Sequence, residues 1–228
     1  GINRELNAGA EQLHRVSWLL VTFGTAYVYS LRETGKVVAN CHKLPASLFD
    51  RRRVGVDEML RGWIPLIERL SGSNPELRIM FTVSPIRHLR DGAHENQLSK
   101  SVLLLFVDEL CRMYPDRCIY FPSYEIVMDE LRDYRFYDAG MTHPNEQAIR
   151  YIWERFSEAC FSEETRTLNR EWERLEKALN HRPLTPDKDT FRDFTVQNLF
   201  KLKKIREKYS YFDLSKEIDS LELFLKTL

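Results

Sequence analysis

A histidine stands just before a predicted helix, in a stretch crowded with charged and aromatic side chains (residues 131–145). This residue is His143, and the helix after it is predicted over Glu146–Cys160. A histidine that follows the last strand of an α/β sheet is well placed to act as a general base over the carboxyl edge of that sheet. The same residues equally allow a histidine that only caps the helix.

A second group of reactive side chains lies in the segment after another predicted strand (residues 84–94). Arg87 and His88 belong to this group, together with a second arginine and a second histidine. Arginine binds anions through its planar, forked guanidinium, so the loop is a candidate for lining a binding site. A loop of this density can also be held together by its own hydrogen bonds. Ser84 directly follows this strand, but it is only a minor candidate for a nucleophile, because the Gly-x-Ser-x-Gly turn of α/β-hydrolases is absent.

A third group begins where the first apolar run of the chain ends, at Gly24 and Thr25. A glycine at the end of a strand lets its backbone N–H face a negatively charged oxygen, although a plain turn would select the same residue. Asn40 could add a side-chain donor to the same oxyanion. Cys41 precedes a histidine, but catalytic pairs usually meet in space, so a cysteine nucleophile is a minor alternative.

The charge and the apolar runs of the chain argue against two classes of partner, nucleic acids and a membrane-spanning environment. The 228 residues carry 34 Lys and Arg against 34 Asp and Glu, which gives a formal net charge of zero. A dedicated nucleic-acid-binding protein usually has a basic surplus on one face, so no nucleic-acid partner is predicted. No apolar run approaches the roughly 20 residues that a membrane-spanning helix needs.

The sequence contains no motif for a cofactor or a metal ion. It has neither a Gly-x-Gly-x-x-Gly sequence nor a phosphate-binding loop, and no two histidines have the i, i+4 spacing of zinc hydrolases. We therefore predict no cofactor and no metal. The four cysteines form no CxxC pair and no disulfide framework, which favours free thiols in a reducing compartment such as the cytoplasm.

Strands and helices are predicted to alternate over the first two-thirds of the chain. Such alternation indicates a parallel sheet with helices on both faces, and the first apolar run is typical of a strand buried on both faces. Ligands of such sheets bind at the carboxyl ends of the strands, where the three groups of candidates lie. The predicted elements are helix Asn3–Arg15, strand Val16–Phe23, helix Val54–Leu70, strand Leu77–Val83, helix Gln97–Met113, strand Cys118–Phe121 and helix Glu146–Cys160.

The composition changes after about Glu164, where charged, helix-forming sequence replaces the alternation. We therefore predict an α/β domain over residues 1–164 and a helical extension over residues 165–228. The extension is predicted to contain helices Thr165–Asn180, Thr190–Lys208 and Leu214–Leu228, with a proline-containing linker over 181–188.

Several stretches taken together resemble the GSCFA-domain family, which belongs to the SGNH (GDSL-like) hydrolase superfamily. The resemblance is dense and covers roughly residues 16–161. It rests on TFGTAYVY (22–29), VANCHK (38–43), TVSPIRH (82–88), SK (99–100), YFPSYE (120–125), LRDYRFY (131–137) and HP (143–144).

The resemblance implies a flavodoxin-like, three-layer α/β/α fold with a mostly parallel sheet, and the chemistry of an ester hydrolase. In that superfamily a serine near the N-terminus attacks the ester carbonyl, and a histidine before the last core helix is the general base. A glycine and an asparagine complete the oxyanion hole. His143 occupies the histidine position. The predicted oxyanion- and substrate-binding residues are Gly24, Thr25, Asn40, Arg87 and His88.

Two departures from the family pattern bear on catalysis. The Gly-Ser-Cys-Phe-Ala motif that carries the family's serine does not occur in this sequence. The first strand or strands of the fold are expected to be missing with it. The family's histidine usually has an aspartate three positions before it, where this chain has Gly140. Asp138 is near but out of register, and we predict it as the catalytic partner of His143.

The function predicted from these residues is that of an SGNH-like ester hydrolase, in a truncated form without its serine nucleophile. Its substrate is predicted to be a small-molecule or carbohydrate acyl ester. The alternative is a catalytically inactive binding or interaction protein on the same fold, which Gly140 and the helical tail favour. An incomplete sheet would also leave an unpaired edge near Val16–Phe23, so self-association is expected there.

Overall fold

The computed structural model describes residues 2–39, 41, 43–180 and 188–226. The chain divides into two compact units, Gly1–Phe156 and Ser157–Leu228, and each is treated separately below.

The first unit is built from five helices and six strands in its described residues. The predicted helix over Glu146–Cys160 is confirmed with the same bounds, and the other predicted elements are confirmed with ends displaced by up to four residues. In chain order the elements are α1 (Ile2–Leu13), β1 (Trp18–Phe23), β2 (Tyr27–Leu31), β3 (Val37–Val38), β4 (Phe49–Arg53), α2 (Val56–Ser73), β5 (Arg78–Val83), α3 (Ala93–Met113), β6 (Cys118–Tyr120), α4 (Ser123–Glu125) and α5 (Glu146–Cys160).

The larger sheet is parallel, and its strand order is β1-β5-β6. The central strand β5 pairs with β1 along its full length, from Trp18 opposite Arg78 to Phe23 opposite Val83. It pairs with β6 over three residues. The connections from β1 to β5 and from β5 to β6 each contain a long helix, α2 and α3 respectively, as crossovers between parallel neighbours require.

Helices cover both faces of this sheet. On one face α2 and α3 bury Ile79 and Phe81 of β5, with Ile67 and Phe106 among the fully buried side chains of this cluster. On the other face α5 packs against Met80 of β5 and against residues that follow β6. The predicted α/β class is confirmed by this arrangement.

The prediction that β1 is buried on both faces is wrong. Its burial alternates along the strand, and Leu20 is 56% exposed. The physical reason is its position. β1 is an edge strand in the described part of the chain, and the cluster formed with α5 is centred on Met80 of β5 and Phe121, one and two strands away.

A second, antiparallel sheet of order β3-β2-β4 was not predicted from the sequence. β2 and β3 form a hairpin whose turn contains Gly35 at φ 65°, a left-handed conformation that glycine adopts without strain. β4 then pairs with the other side of β2, with Tyr29 opposite Arg51. The three strands of this sheet lie between Gly24 and α2, in a segment for which the sequence predicted no strands.

The second unit contains three helices among its described residues. They are α6 (Glu163–Leu179), α7 (Lys188–Lys208) and α8 (Ser215–Leu225), close to the predicted bounds. Their apolar faces share one core, in which Leu202, Tyr209 and Leu214 are fully buried. The predicted linker falls largely on residues 181–187, which lie outside the described residues.

A search of the described helices finds none with the length and apolar character that crossing a membrane requires.

We expect Ile67→Ala to lower the free energy of unfolding by about 2–5 kcal/mol, because it opens a cavity in the core between sheet and helices. Leu105→Ala, on the exposed side of α3, serves as the matched control and is expected to change it by less than about 0.5 kcal/mol. Urea unfolding followed by circular dichroism measures both. Equal effects of the two substitutions would contradict the core described above.

Candidate functional site

The carboxyl ends of β1, β5 and β6 meet at one edge of the parallel sheet. Hydrogen bonds tie the residues at these ends together. The Ser84 N–H donates to the carbonyl oxygen of Phe23 at 2.8 Å. The Ser123 hydroxyl donates to the carbonyl oxygen of Val83, also at 2.8 Å. The three strand ends therefore form one continuous edge, called the rim below. Gly24, Ser84 and Ser123 belong to it.

His143 reaches this rim on a tight loop between Tyr137 and Pro144, which are joined by a β-bridge. The Asp138 N–H donates to the His143 carbonyl at 2.8 Å, which closes the loop. Inside the loop, Asp138 Oδ1 accepts from the Thr142 N–H at 3.3 Å and from the His143 N–H at 3.4 Å. The Asp138 carboxylate thus organises the loop that presents the histidine.

The same carboxylate lies beside the imidazole of His143. Asp138 Oδ2 is 3.7 Å from His143 Nδ1, and the Thr142 hydroxyl is 2.9 Å from the same nitrogen. A side chain at position 140 would enter the same space, because a Cβ on Gly140 would lie 3.4 Å from Asp138 Oδ1. An aspartate two positions earlier than the family pattern therefore occupies the place next to the histidine.

Arg87 connects the loop after β5 with the loop of His143. Its guanidinium carbon lies 4.1 Å from the ring centre of Tyr137 and 5.4 Å from that of Tyr134. Its backbone N–H donates to the Thr142 carbonyl at 3.0 Å, and its Nη1 donates to the Met141 carbonyl at 3.4 Å. Arg87 is thus engaged mainly in holding these loops against each other.

His88 lies against the end of β1. A Cβ on Gly24 would lie 3.4 Å from His88 Nε2, so the glycine leaves the imidazole close to the backbone. The His88 N–H donates to the Asn96 side chain at 2.9 Å. Partial burial lowers the pKa of His88, and the positive charges of Lys100 and Arg51 lower it further, as does His143. The imidazole is therefore held in its neutral form more strongly than an exposed histidine.

The structure gives no binding geometry for Thr25 or Asn40. The Thr25 hydroxyl lies 3.1 Å from the Ser99 hydroxyl on α3, and it also accepts from the Tyr27 N–H at 3.3 Å. This side chain therefore stabilises the turn after β1. Asn40 lies outside the described residues.

A cavity of about 480 Å³ opens beside the rim, and His143 is among its lining residues. Its walls are largely apolar, and α5 contributes Ile149, Ile152, Trp153 and Phe156. The sheet contributes Leu20 and Met80, and the hydroxyl groups of Ser84 and Ser123 mark its polar end. The arrangement offers an apolar volume next to an imidazole and a carboxylate.

Lys100 is a site residue for which the sequence analysis predicted no role. It is 1% exposed, and its ammonium donates to the carbonyl oxygens of Gly24 and Ser84 at 2.6 Å each. Burial lowers its pKa to about 8. A signal for it exists in the sequence, because Lys100 lies just before the apolar run of α3 at residues 102–107, where a charged side chain is not expected.

The structure contains no metal-binding cluster in the part of the chain that it describes, judged by groups of three His, Cys, Asp or Glu side chains. The four cysteines are all free thiols, and Cys118 is buried while Cys160 is exposed.

Comparison with protein families gives two matches along the chain. A family model described as "GSCFA family" matches residues 1–156, which include every element of the rim. A second, described as "GSCFA domain protein, C-terminal domain", matches residues 172–227. Comparison with curated proteins and with solved structures gives no match.

We expect Arg87→Ala to loosen the loop of His143, because the variant loses the stacking on Tyr137 and the bond to the Met141 carbonyl. Amide hydrogens of Asp138 and Met141 should exchange about five- to tenfold faster, the loss that one cation–π contact and one hydrogen bond would cause. Hydrogen exchange measured by NMR tests this. Arg90→Ala is the control, since the Arg90 guanidinium bonds the Tyr29 hydroxyl instead. Unchanged exchange in the Arg87 variant would contradict this account.

Proposed function

The chain belongs to the GSCFA family, and we propose that the rim of its parallel sheet is an ester-hydrolase site of the SGNH type on a flavodoxin-like fold. The observation that carries the proposal is the pairing of His143 with Asp138, 3.7 Å apart, at the edge of a largely apolar cavity. A histidine oriented by a carboxylate is the base that acyl transfer requires.

His143 is the proposed general base. Its Nδ1 is within hydrogen-bond distance of the Thr142 hydroxyl, and the Asp138 carboxylate lies 3.7 Å from the same nitrogen as a nearby negative charge. Nε2 is then the nitrogen that takes the proton of an attacking hydroxyl. The imidazole becomes positively charged when it takes that proton. The Asp138 carboxylate then stabilises the imidazolium and keeps the ring in one orientation.

Gly24 is the proposed oxyanion donor, and the peptide geometry supports this role. The carbonyl of Phe23 points to β5, where it accepts from the Ser84 N–H. The described peptide bonds are trans, so the N–H of Gly24 points the opposite way, toward the unpaired edge of β1. A backbone donor held in this direction by the sheet costs no reorganisation when negative charge develops on a substrate oxygen.

The proposed substrate is an acyl ester of a small molecule or a carbohydrate. The cavity beside His143 has the apolar lining that an acyl group favours, with the hydroxyls of Ser84 and Ser123 at one end. Arg87 and His88 are proposed to face the alcohol side, since they stand on the loop between the rim and the His143 loop.

A binding role without catalysis is the second candidate, and one observation favours it for residues 1–228. The serines of the rim are engaged by the backbone: Ser123 donates to the Val83 carbonyl, and the Ser84 hydroxyl accepts from the Ile86 N–H. The Gly-Ser-Cys-Phe-Ala motif does not occur in the sequence.

We expect residues 1–228 alone to give no His143-dependent hydrolysis of p-nitrophenyl acetate or butyrate, because the Gly-Ser-Cys-Phe-Ala motif that carries the family's serine does not occur in them. Initial rates of the wild type and of His143→Ala should coincide. Turnover that His143→Ala abolishes would contradict this expectation and would place a nucleophile within these residues.

A fluorophosphonate probe tests the proposed enzyme in the protein expressed from its complete coding sequence. Such probes label a serine that a neighbouring base activates, so we expect labelling that His143→Ala lowers by about 100-fold or more. His14→Ala is the matched control, because His14 lies before the amino end of β1 and should leave labelling intact. No labelling of the wild type, or labelling that His143→Ala leaves unchanged, would overturn the proposal.

A further inference from the structure

The side chain of Lys100 is buried at the floor of the rim, where a charge is costly. Moving an ammonium out of water costs several kcal/mol unless strong partners replace the water. Its described hydrogen-bond partners are two neutral carbonyls, those of Gly24 and Ser84. A methionine or leucine would fill the same space in α3 without that cost. We therefore look for the role of the lysine in the two backbone carbonyls to which its ammonium is bonded.

These bonds fix the backbone on both sides of the proposed oxyanion donor. The peptide before Gly24 is held by the bond from the Ser84 N–H to the Phe23 carbonyl. The peptide after it is held by the bond from Lys100 to the Gly24 carbonyl. With both planes fixed, the direction of the Gly24 N–H is fixed as well.

We propose that Lys100 is the positioning residue of the oxyanion donor, holding the Gly24 peptide and placing a positive charge behind it. The inference rests on the proposed function of the rim. The ammonium does not touch substrate in this arrangement. It acts on the Gly24 N–H indirectly: its bond holds the peptide plane that follows this donor, and its positive charge adds through space to the field at the donor.

The electrostatic surroundings of Lys100 are consistent with this role. Lys100 acts on one neighbouring titratable group, His88: its positive charge lowers the pKa of His88, which Arg51 and His143 lower as well. The pKa of Lys100 itself is about 8. The ammonium is therefore mostly present at pH 7 and is lost as the pH rises through 8, so its effect on Gly24 should disappear over the same interval.

Ser99 provides a matched control on the same turn of α3. Its hydroxyl accepts from the Ala26 N–H at 2.7 Å, so it holds the turn two residues beyond Gly24. Ser99→Ala removes this buried hydrogen bond and the one that the Ser99 hydroxyl shares with the Thr25 hydroxyl, but it keeps the bond between Lys100 and Gly24. If Lys100 only contributed to stability, Lys100→Met and Ser99→Ala would affect the Gly24 amide alike. If Lys100 positions Gly24, only Lys100→Met changes that amide.

The test is an NMR titration of residues 1–228 and of the variants Lys100→Met and Ser99→Ala. In the wild type, the amide signal of Gly24 should shift with a midpoint near pH 8. In Lys100→Met that transition should vanish, the pKa of His88 should rise, and the order parameter of the Gly24 amide should fall from about 0.85 toward about 0.6. Ser99→Ala should keep both the transition and the His88 titration.

A Gly24 transition that persists in Lys100→Met, or a change spread evenly over the sheet, would overturn the proposal. If Lys100→Met does not fold, the wild-type titration still decides. A Gly24 amide that does not respond when the Lys100 side-chain carbon signals titrate refutes the coupling. Failure of the proposed function appears separately, as a missing effect of His143→Ala on fluorophosphonate labelling.

Discussion

The parallel pairing of β1 with β5 is the constraint on which the candidate site depends. Its register places Phe23 opposite Val83, so the two strands end at the same level. Gly24 and Ser84 therefore begin side by side, close enough for one lysine of α3 to bond both carbonyls. A slip of one residue would turn every side chain of β1 to the other face and would separate these two carbonyls.

The loops above the rim are rigid because each is bonded to a neighbour. Asp138 closes the His143 loop through backbone N–H groups and also lies beside the imidazole, so one carboxylate both shapes the loop and faces the His143 ring. Arg87 then joins this loop to the segment after β5. Such mutual support holds these side chains in place in the absence of a ligand.

The sequence predicted the parts of this structure that follow from local pattern. α5 and the parallel strands carry clear periodicity, and His143 was identified from its place before α5. The exposure of Leu20 could not be predicted, because an apolar run has the same sequence pattern whether or not a helix covers one face of the strand. Asp138 stood out of register with the family pattern, and only the folded loop brings it to His143. Lys100 was given no role because its hydrogen-bond partners are two backbone carbonyls, which a sequence does not identify, although a lysine at the start of an apolar run is itself unusual.

The separation of β1 and β5 along the chain has a consequence for how the molecule folds. The pair Trp18 and Arg78 is about 60 residues apart, whereas β2 pairs with β3 and β4 over much shorter distances. Closing the longer loop carries the larger entropy cost, so the antiparallel sheet can form before β1 finds β5. We therefore expect the rim at the ends of β1 and β5 to be completed after the antiparallel sheet.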